Sequence, residues 1–409
     1  MKKYFVLAAA ALVALTACSK MEIDNSVETA QKIGFEVASY MPLTKANAAI
    51  TSESVYKFHT VANQFPTVGS PVVFMDVDVL PWNGTTQVTA ANIASNNIST
   101  WSPSEDYYWP KTGWINFYSY AGTDEPTVGN TATDKKTVTF TYSNVEIDAN
   151  SNILVADAAL HYGRTNSATE THQVDNSETS AHVTKGVPTL FHHQLAKLII
   201  DVEARTIDTK KSANTTWKVQ VLSAYAENSP YVSTIAPIKK GSLLLTSAEP
   251  ADATTGVYAW AKTNESTTNI SGWVPSTEKE TISLSDSDVL TIDVNTTGDG
   301  TKSVILAERS VMPQVTSGVA FKLTYKVQAF HGNTLFMEEI REVGIAEAKT
   351  ISQLVNTVTS WGANQRITYH IIIDPVSEKV TFDPAVEEFV NVDADGTYDD
   401  INVNENGLV

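Results

Sequence analysis

Apolar and polar residues alternate along much of the chain, and helical spacing is scarce. Val73, Met75, Val77 and Val79 alternate with Asp76 and Asp78, and Val138, Phe140 and Tyr142 alternate with threonines. Phe321, Leu323, Tyr325 and Val327 alternate with Lys322, Thr324, Lys326 and Gln328; Ile367, Tyr369, Ile371 and Ile373 alternate with Thr368 and His370. A period of two places each apolar set on one face of an extended chain. Each segment therefore predicts a strand with one buried side. Val and Thr, which suit strands, are abundant, and loops rich in Asn, Thr, Ser and Gly separate the segments. Residues 345–358 are the one stretch that predicts a short helix. Many strands at turn-punctuated spacing predict an all-β protein built from antiparallel sandwiches.

The same alternation occurs once near the N-terminus. In residues 33–39, Ile33, Phe35 and Val37 share one face, while Gly34 and Glu36 share the other. A polar run, residues 165–185, has almost no apolar residue besides Val174 and Val183, and it predicts a linker or a long surface loop. After it, residues 195–202 and 217–222 read as a hairpin that opens a second domain. No short-period repeat is present.

The length of 409 residues is ample for two domains with real cores. With 42% hydrophobic and 18% charged residues the chain is globular. A net charge of −18 argues against nucleic acid, which needs clustered Lys and Arg, and against adsorption to anionic lipid.

Lys2 and Lys3 precede an apolar stretch, residues 4–15, so residues 1–17 read as a secretory signal too short to span a bilayer. Leu15-Thr16-Ala17-Cys18 resembles a bacterial lipobox. That resemblance implies a lipid on Cys18, and Ser19 after it favours the outer membrane by analogy with bacterial sorting. Two or more acyl chains on Cys18 form a firm anchor where one holds weakly. Cys18 is the only cysteine, so no disulfide forms within the chain. No other stretch reads as transmembrane.

Several motifs recur in one order. They are Tyr107-Tyr108-Trp109-Pro110 followed by Trp114-Ile115-Asn116-Phe117-Tyr118-Ser119-Tyr120, then Asn152-Ile153-Leu154-Val155-Ala156-Asp157-Ala158. Val187-Pro188-Thr189-Leu190-Phe191-His192-His193-Gln194-Leu195-Ala196-Lys197-Leu198 and Val311-Met312-Pro313-Gln314 follow. Trp361-Gly362-Ala363-Asn364, Ile367-Thr368-Tyr369 and Val380-Thr381-Phe382-Asp383-Pro384-Ala385-Val386 close the series. Together with the lipobox, this set resembles the fimbrillin (type V pilin) family of Bacteroidetes lipoprotein fimbrial subunits. The resemblance implies two transthyretin-like antiparallel β-sandwich domains in tandem. It also implies a subunit of a cell-surface fimbria that contributes to adhesion. It implies further that a protease removes the first strand with its lipid and that the emptied groove accepts a strand from a neighbouring subunit. The implied partners are other copies or related pilins, the maturation protease and, in the precursor, the lipid anchor. The expected path is outer-membrane lipoprotein first, surface fimbria afterwards.

On this reading residues 1–17 are the signal peptide and 18–45 a leader with a removable strand carrying Ile33, Phe35 and Val37. Residues 46–185 form the first domain, and 186–409 the second, with a possible donor strand at its end. Well-known family members are cut after Arg, whereas the first Arg here is Arg164. The leader offers Lys20, Lys32 and Lys45, and only a cut after Lys45 releases the apolar strand, so Lys45–Ala46 is the expected cleavage site. Without cleavage the leader stays as a structural strand, and such a subunit could still serve as an anchor. Residues 386–409 hold Phe389, Val390, Val392, Ile401, Val403 and Leu408 among many Asp, Asn and Glu residues; they read either as a strand or as a solvated tail.

Candidate chemistry is thin. Asn391-Val392-Asp393-Ala394-Asp395-Gly396 opens like a calcium loop, but Asn402 stands where a bidentate Glu belongs, so an acidic β-turn fits better. His192 and His193 are adjacent on a predicted strand and face opposite ways, and His161, His172 and His182 lack a zinc-like spacing. Asp76 and Asp78 share the solvated face of a strand more readily than a cleft. No nucleophile elbow or phosphate loop is present. The expectation is a non-enzyme without metal or cofactor. The rival reading is a monomeric outer-membrane lipoprotein that binds glycans or proteins through exposed aromatics. Trp82, Trp101, Trp109, Trp114, Trp217, Trp260, Trp273 and Trp361 are its candidates, although core filling suits most of them.

Overall fold

A computed structural model describes residues 32–38, 57–89, 98, 100–110, 112–130, 133–163, 186–204, 215–228, 237–253, 256–277, 281–284, 290–293, 304–344, 358–375 and 379–388. Cys18, Lys45, Ala46, the polar run, the acidic turn at 391–396 and all but the last residue of the expected helix lie outside them. The protein is all-β: no α-helix occurs among the described residues.

The largest sheet holds β1 (Phe35–Ala38), β2 (Phe58–Phe65), β3 (Val72–Asn83), β4 (Thr86–Gln87) and β5 (Thr100–Pro103), together with β6 (Trp114–Gly122), β9 (Ile153–Ala156), β10 (Ala158–Tyr162), β11 (Val187–His193) and β15 (Gly256–Tyr258). Within it, β6, β2, β3, β5, β1, β11 and β9 follow one another, and β9 pairs back to β6 through Tyr120 opposite Val155. These seven strands form a closed ring. Closure removes sheet edges, which otherwise invite pairing with another chain.

A second sheet covers part of the ring. It holds β7 (Thr127–Gly129), β8 (Thr137–Glu146), β14 (Lys240–Ala248), β16 (Ala261–Lys262) and β17 (Trp273–Pro275). Tyr118, Tyr120, Val155 and Leu160 from the ring sheet pack against Val138, Phe140, Leu243, Leu245 and Trp273. Strand pairing thus crosses the polar run, since β11 joins β1 and β9 while β14 runs along β8 from Lys240–Glu146 to Ala248–Thr137. Residue 185 is therefore not a boundary between sheets.

The remaining strands form a sandwich. One sheet is β20 (Val304–Val311), β12 (Ala196–Ala204), β25 (Gln365–Asp374) and β26 (Lys379–Glu388). The other is β18 (Ile282–Ser283) and β19 (Leu290–Asp293), both on β13 (Thr216–Asn228), then β22 (Val319–His331) and β23 (Thr334–Gly344). Leu198, Ile200 and Val202 meet Ile367, Tyr369 and Ile371 and the opposing Val219, Val221, Leu323 and Tyr325 in one core. A two-stranded ribbon, β21 (Gln314–Val315) with β24 (Ser360–Trp361), lies beside it.

The four alternating segments named from the sequence are strands β3, β8, β22 and β25. The expected hairpin at 195–222 is not one. β12 pairs with β20 and β25, whereas β13 belongs to the facing sheet. Both segments have one apolar face, and the two faces oppose each other across the core. Two pairings are parallel, β1 with β11 and β12 with β25, and all others between the named strands are antiparallel. Both parallel partners are far apart in sequence, as parallel pairing demands.

Candidate functional site

β1 sits inside the ring sheet rather than on its rim. β1 lies between β5 and β11, with Phe35 opposite Trp101 on one side. On the other side Phe35, Glu36, Val37 and Ala38 run parallel to Val187, Pro188, Thr189 and Leu190. Two further backbone bonds extend the fit: the Ile33 N–H donates to the Tyr107 carbonyl at 2.8 Å, and the Val187 N–H donates to the Gly34 carbonyl at 2.8 Å. Lys32 bridges to Tyr108, and its ammonium donates to the Asp106 carboxylate at 2.7 Å. That ion pair is exposed, so it adds little energy. The Tyr107-Tyr108-Trp109-Pro110 motif thus frames the entry of β1.

The alternation read from sequence has its physical meaning here. Ile33 and Phe35 are buried, Val37 is half-buried against the same core, and Glu36 is exposed. Phe35 stands edge-on to Phe58, with ring centroids 5.4 Å apart, and to Phe117 at 5.7 Å. Phe58 in turn touches Phe191 at 5.3 Å and Trp101 at 5.6 Å, while Trp109 closes on Phe117 at 5.9 Å. The Phe58–Trp101 pair is tilted; the others are edge-to-face, and such pairs add roughly 0.5–1.5 kcal/mol beyond area burial. Burying Ile33 and Phe35 contributes roughly 1.5–3 kcal/mol each.

Gly186 admits the strand. Its φ is +102°, a region that favours glycine, and a Cβ there would lie 2.7 Å from the Gly34 carbonyl group and the Phe35 nitrogen. Gly34 is less constrained, because a Cβ there would meet only the Trp101 carbonyl oxygen at 3.5 Å. Sequence reading missed Gly186, since a glycine beside a polar run reads as a loop residue.

The other sequence candidates are dispersed. His192 approaches Asp157 at 3.2 Å and His193 approaches Asn152 at 3.1 Å, on opposite sides of β11. Asp76 and Asp78 do share an exposed face, where His59 bridges them at 2.7 and 3.0 Å and Lys57 reaches Asp78 at 2.8 Å. His161 belongs to a buried network instead. Its Nε2 is 3.2 Å from Glu249, which also accepts from Lys136 at 2.7 Å and from Asn116 at 3.1 Å. Burial alone would raise the Glu249 carboxyl, but the bonds from His161, Lys136 and Asn116 outweigh it and hold the group down at about 2. None of the eight tryptophans is exposed; Trp101, Trp109, Trp273 and Trp361 are buried and the others half-buried. Among the described residues no group of His, Cys, Asp and Glu forms a metal site. Cys18, Lys45, Ala46, His172 and His182 lie outside the described residues.

No protein-family model matches the chain, and no curated protein matches it. Among solved structures it is similar to a fimbrial protein from Bacteroides vulgatus ATCC 8482, with a TM-score of 0.43 and 15% identity, covering 88% of this chain and 99% of that one. It is also similar to the tip fimbrial protein Mfa3 from Porphyromonas gingivalis with C-terminal truncation, with a TM-score of 0.30 and 9% identity, covering 84% of this chain and 97% of that one.

Proposed function

We propose that this chain is a structural subunit of a cell-surface fimbria that contributes to adhesion. It is exported as a lipoprotein precursor held in the outer membrane by Cys18, cut between Lys45 and Ala46, and polymerised by strand exchange. The observation that carries the reading is the position of β1. A short strand from the leader is inserted between β5 and β11 and completes a closed ring. Its loss exposes backbone N–H and C=O groups on both neighbours and an apolar slot where Ile33 and Phe35 lay, which is a template for strand addition. An incoming strand regains the burial of each large side chain and about 1 kcal/mol per ladder bond. No disulfide is needed, in keeping with a chain whose sole cysteine is Cys18. A head-to-tail joint that does not close on itself yields a filament. The motif resemblance in the sequence supports the same reading. Four of the tryptophans are buried and four half-buried, so the rival glycan-binding reading has no exposed tryptophan to rest on.

The test is limited proteolysis at Lys45 followed by electrophoresis of unboiled samples. High-mass, detergent-resistant ladders are expected from the trimmed protein, and Lys45→Gln is expected to remain unassembled. A trimmed protein that stays monomeric at high concentration contradicts strand exchange, and normal filaments from Lys45→Gln contradict the cleavage site.

A further inference from the structure

The residues around β1 do more than offer an apolar slot. Among the described residues, rings outside β1 surround Phe35 and its partners: Phe58 from β2, Trp101 from β5, Trp109, Phe117 from β6 and Phe191 from β11. These rings belong to the part of the chain that remains after a cut at Lys45–Ala46. The neighbouring positions on β1 are much less demanding. Glu36 is exposed, Val37 is half-buried, and a Cβ at Gly34 meets one carbonyl oxygen at ordinary contact distance.

Direction is fixed as well. The Gly34 carbonyl accepts from the Val187 N–H, and Gly186 leaves room for the Gly34–Phe35 backbone and for nothing larger. Parallel and antiparallel ladders place their donors and acceptors differently, so a strand running the other way misses this register.

We propose that the aromatic box is the specificity-determining pocket of the groove. It selects an extended segment of another subunit that runs parallel to β11 and carries the order aliphatic–any–aromatic–any–aliphatic, with the aromatic ring in the place of Phe35. This rests on the strand-exchange reading above and names the partner that the groove accepts. An aliphatic or small residue at the central position leaves a void among rings that are already packed edge to face, and such voids are costly in close-packed cores.

The experiment uses the full chain nicked at the Lys45–Ala46 bond and fluorescently labelled synthetic peptides that compete for the groove. The probes are the peptide of residues 32–39 and its Phe35→Tyr, Phe35→Val and Phe35→Ala forms. Because the substitutions are in the peptide, the folding of the protein is untouched. The parent and Phe35→Tyr peptides are expected to bind within about tenfold of each other. Phe35→Ala is expected to bind at least roughly a hundredfold more weakly, with Phe35→Val between. Equal affinity of the Phe and Ala peptides overturns the proposed selectivity while leaving strand exchange intact. Failure of every peptide to exchange overturns both this proposal and the strand-exchange reading.

Discussion

Gly186 faces Phe35 at a distance that leaves no space for a side chain: a methyl group on Gly186 would sit 2.7 Å from the Phe35 backbone nitrogen. The contact joins the two sides of the parallel pairing between β1 and β11, just ahead of the Val187–Gly34 hydrogen bond. Gly186→Ala therefore meets both a steric conflict and an unfavourable φ of +102°. The expected result is a loss of roughly 1–3 kcal/mol and faster hydrogen exchange at the Val187 amide. Exchange at that amide as slow as in the parent protein would contradict the close approach.

Phe35→Ala removes the ring at the centre of the aromatic cluster formed with Phe58 and Phe117. A buried Phe→Ala change costs roughly 3–5 kcal/mol, and a denaturation curve of the uncut chain should show a loss of that size. Glu36→Ala serves as the control, because Glu36 is exposed and its replacement should stay within about 0.5 kcal/mol.

Glu249 links strands on both sides of the polar run, through Lys136, Asn116 and His161. Its carboxyl falls from an ordinary 4.5 to about 2 on folding. A group lowered by folding stabilises the protein above its unfolded value and loses that contribution as pH falls toward its folded value. The urea midpoint should therefore drop between about pH 4.5 and about pH 2. Glu249→Gln should flatten this part of the profile and cost roughly 1–3 kcal/mol at neutral pH.

Trp273 is fully buried, and its indole N–H donates to the Gln194 carbonyl at 2.8 Å. Gln194 lies in the short passage from β11 to β12, so this bond fastens the covering sheet to the turn that leads into the sandwich. Trp273→Phe keeps an aromatic ring but loses the donor. An expected loss of roughly 1–3 kcal/mol should appear in thermal and urea unfolding, without change in strand content by circular dichroism.

Each strand whose apolar residues alternate was legible in the sequence because a period of two is a local property. Ile33, Phe35 and Val37 announced a buried face, and so did the series ending at Val79, Tyr142, Val327 and Ile373. What local pattern does not encode is the partner. β12 and β13 were equally plain as strands, yet they face each other across a core instead of forming a hairpin. The bridge of His59 to Asp76 and Asp78, and the network around Glu249, were likewise invisible, because their members are brought together from separate strands.

The sequence by itself determined that a half-buried strand stands near the N-terminus and which of its side chains point inward, since alternation of apolar and polar residues settles a strand's faces. Only the tertiary structure decided that this strand lies between β5 and β11, parallel to β11, as the stave that closes a ring. Pairing and register over such separations depend on the packing of Phe35 against Phe58 of β2 and Phe117 of β6 and on the space left by Gly186. Those are properties of residues far apart in the chain, and they become visible when the chain has folded.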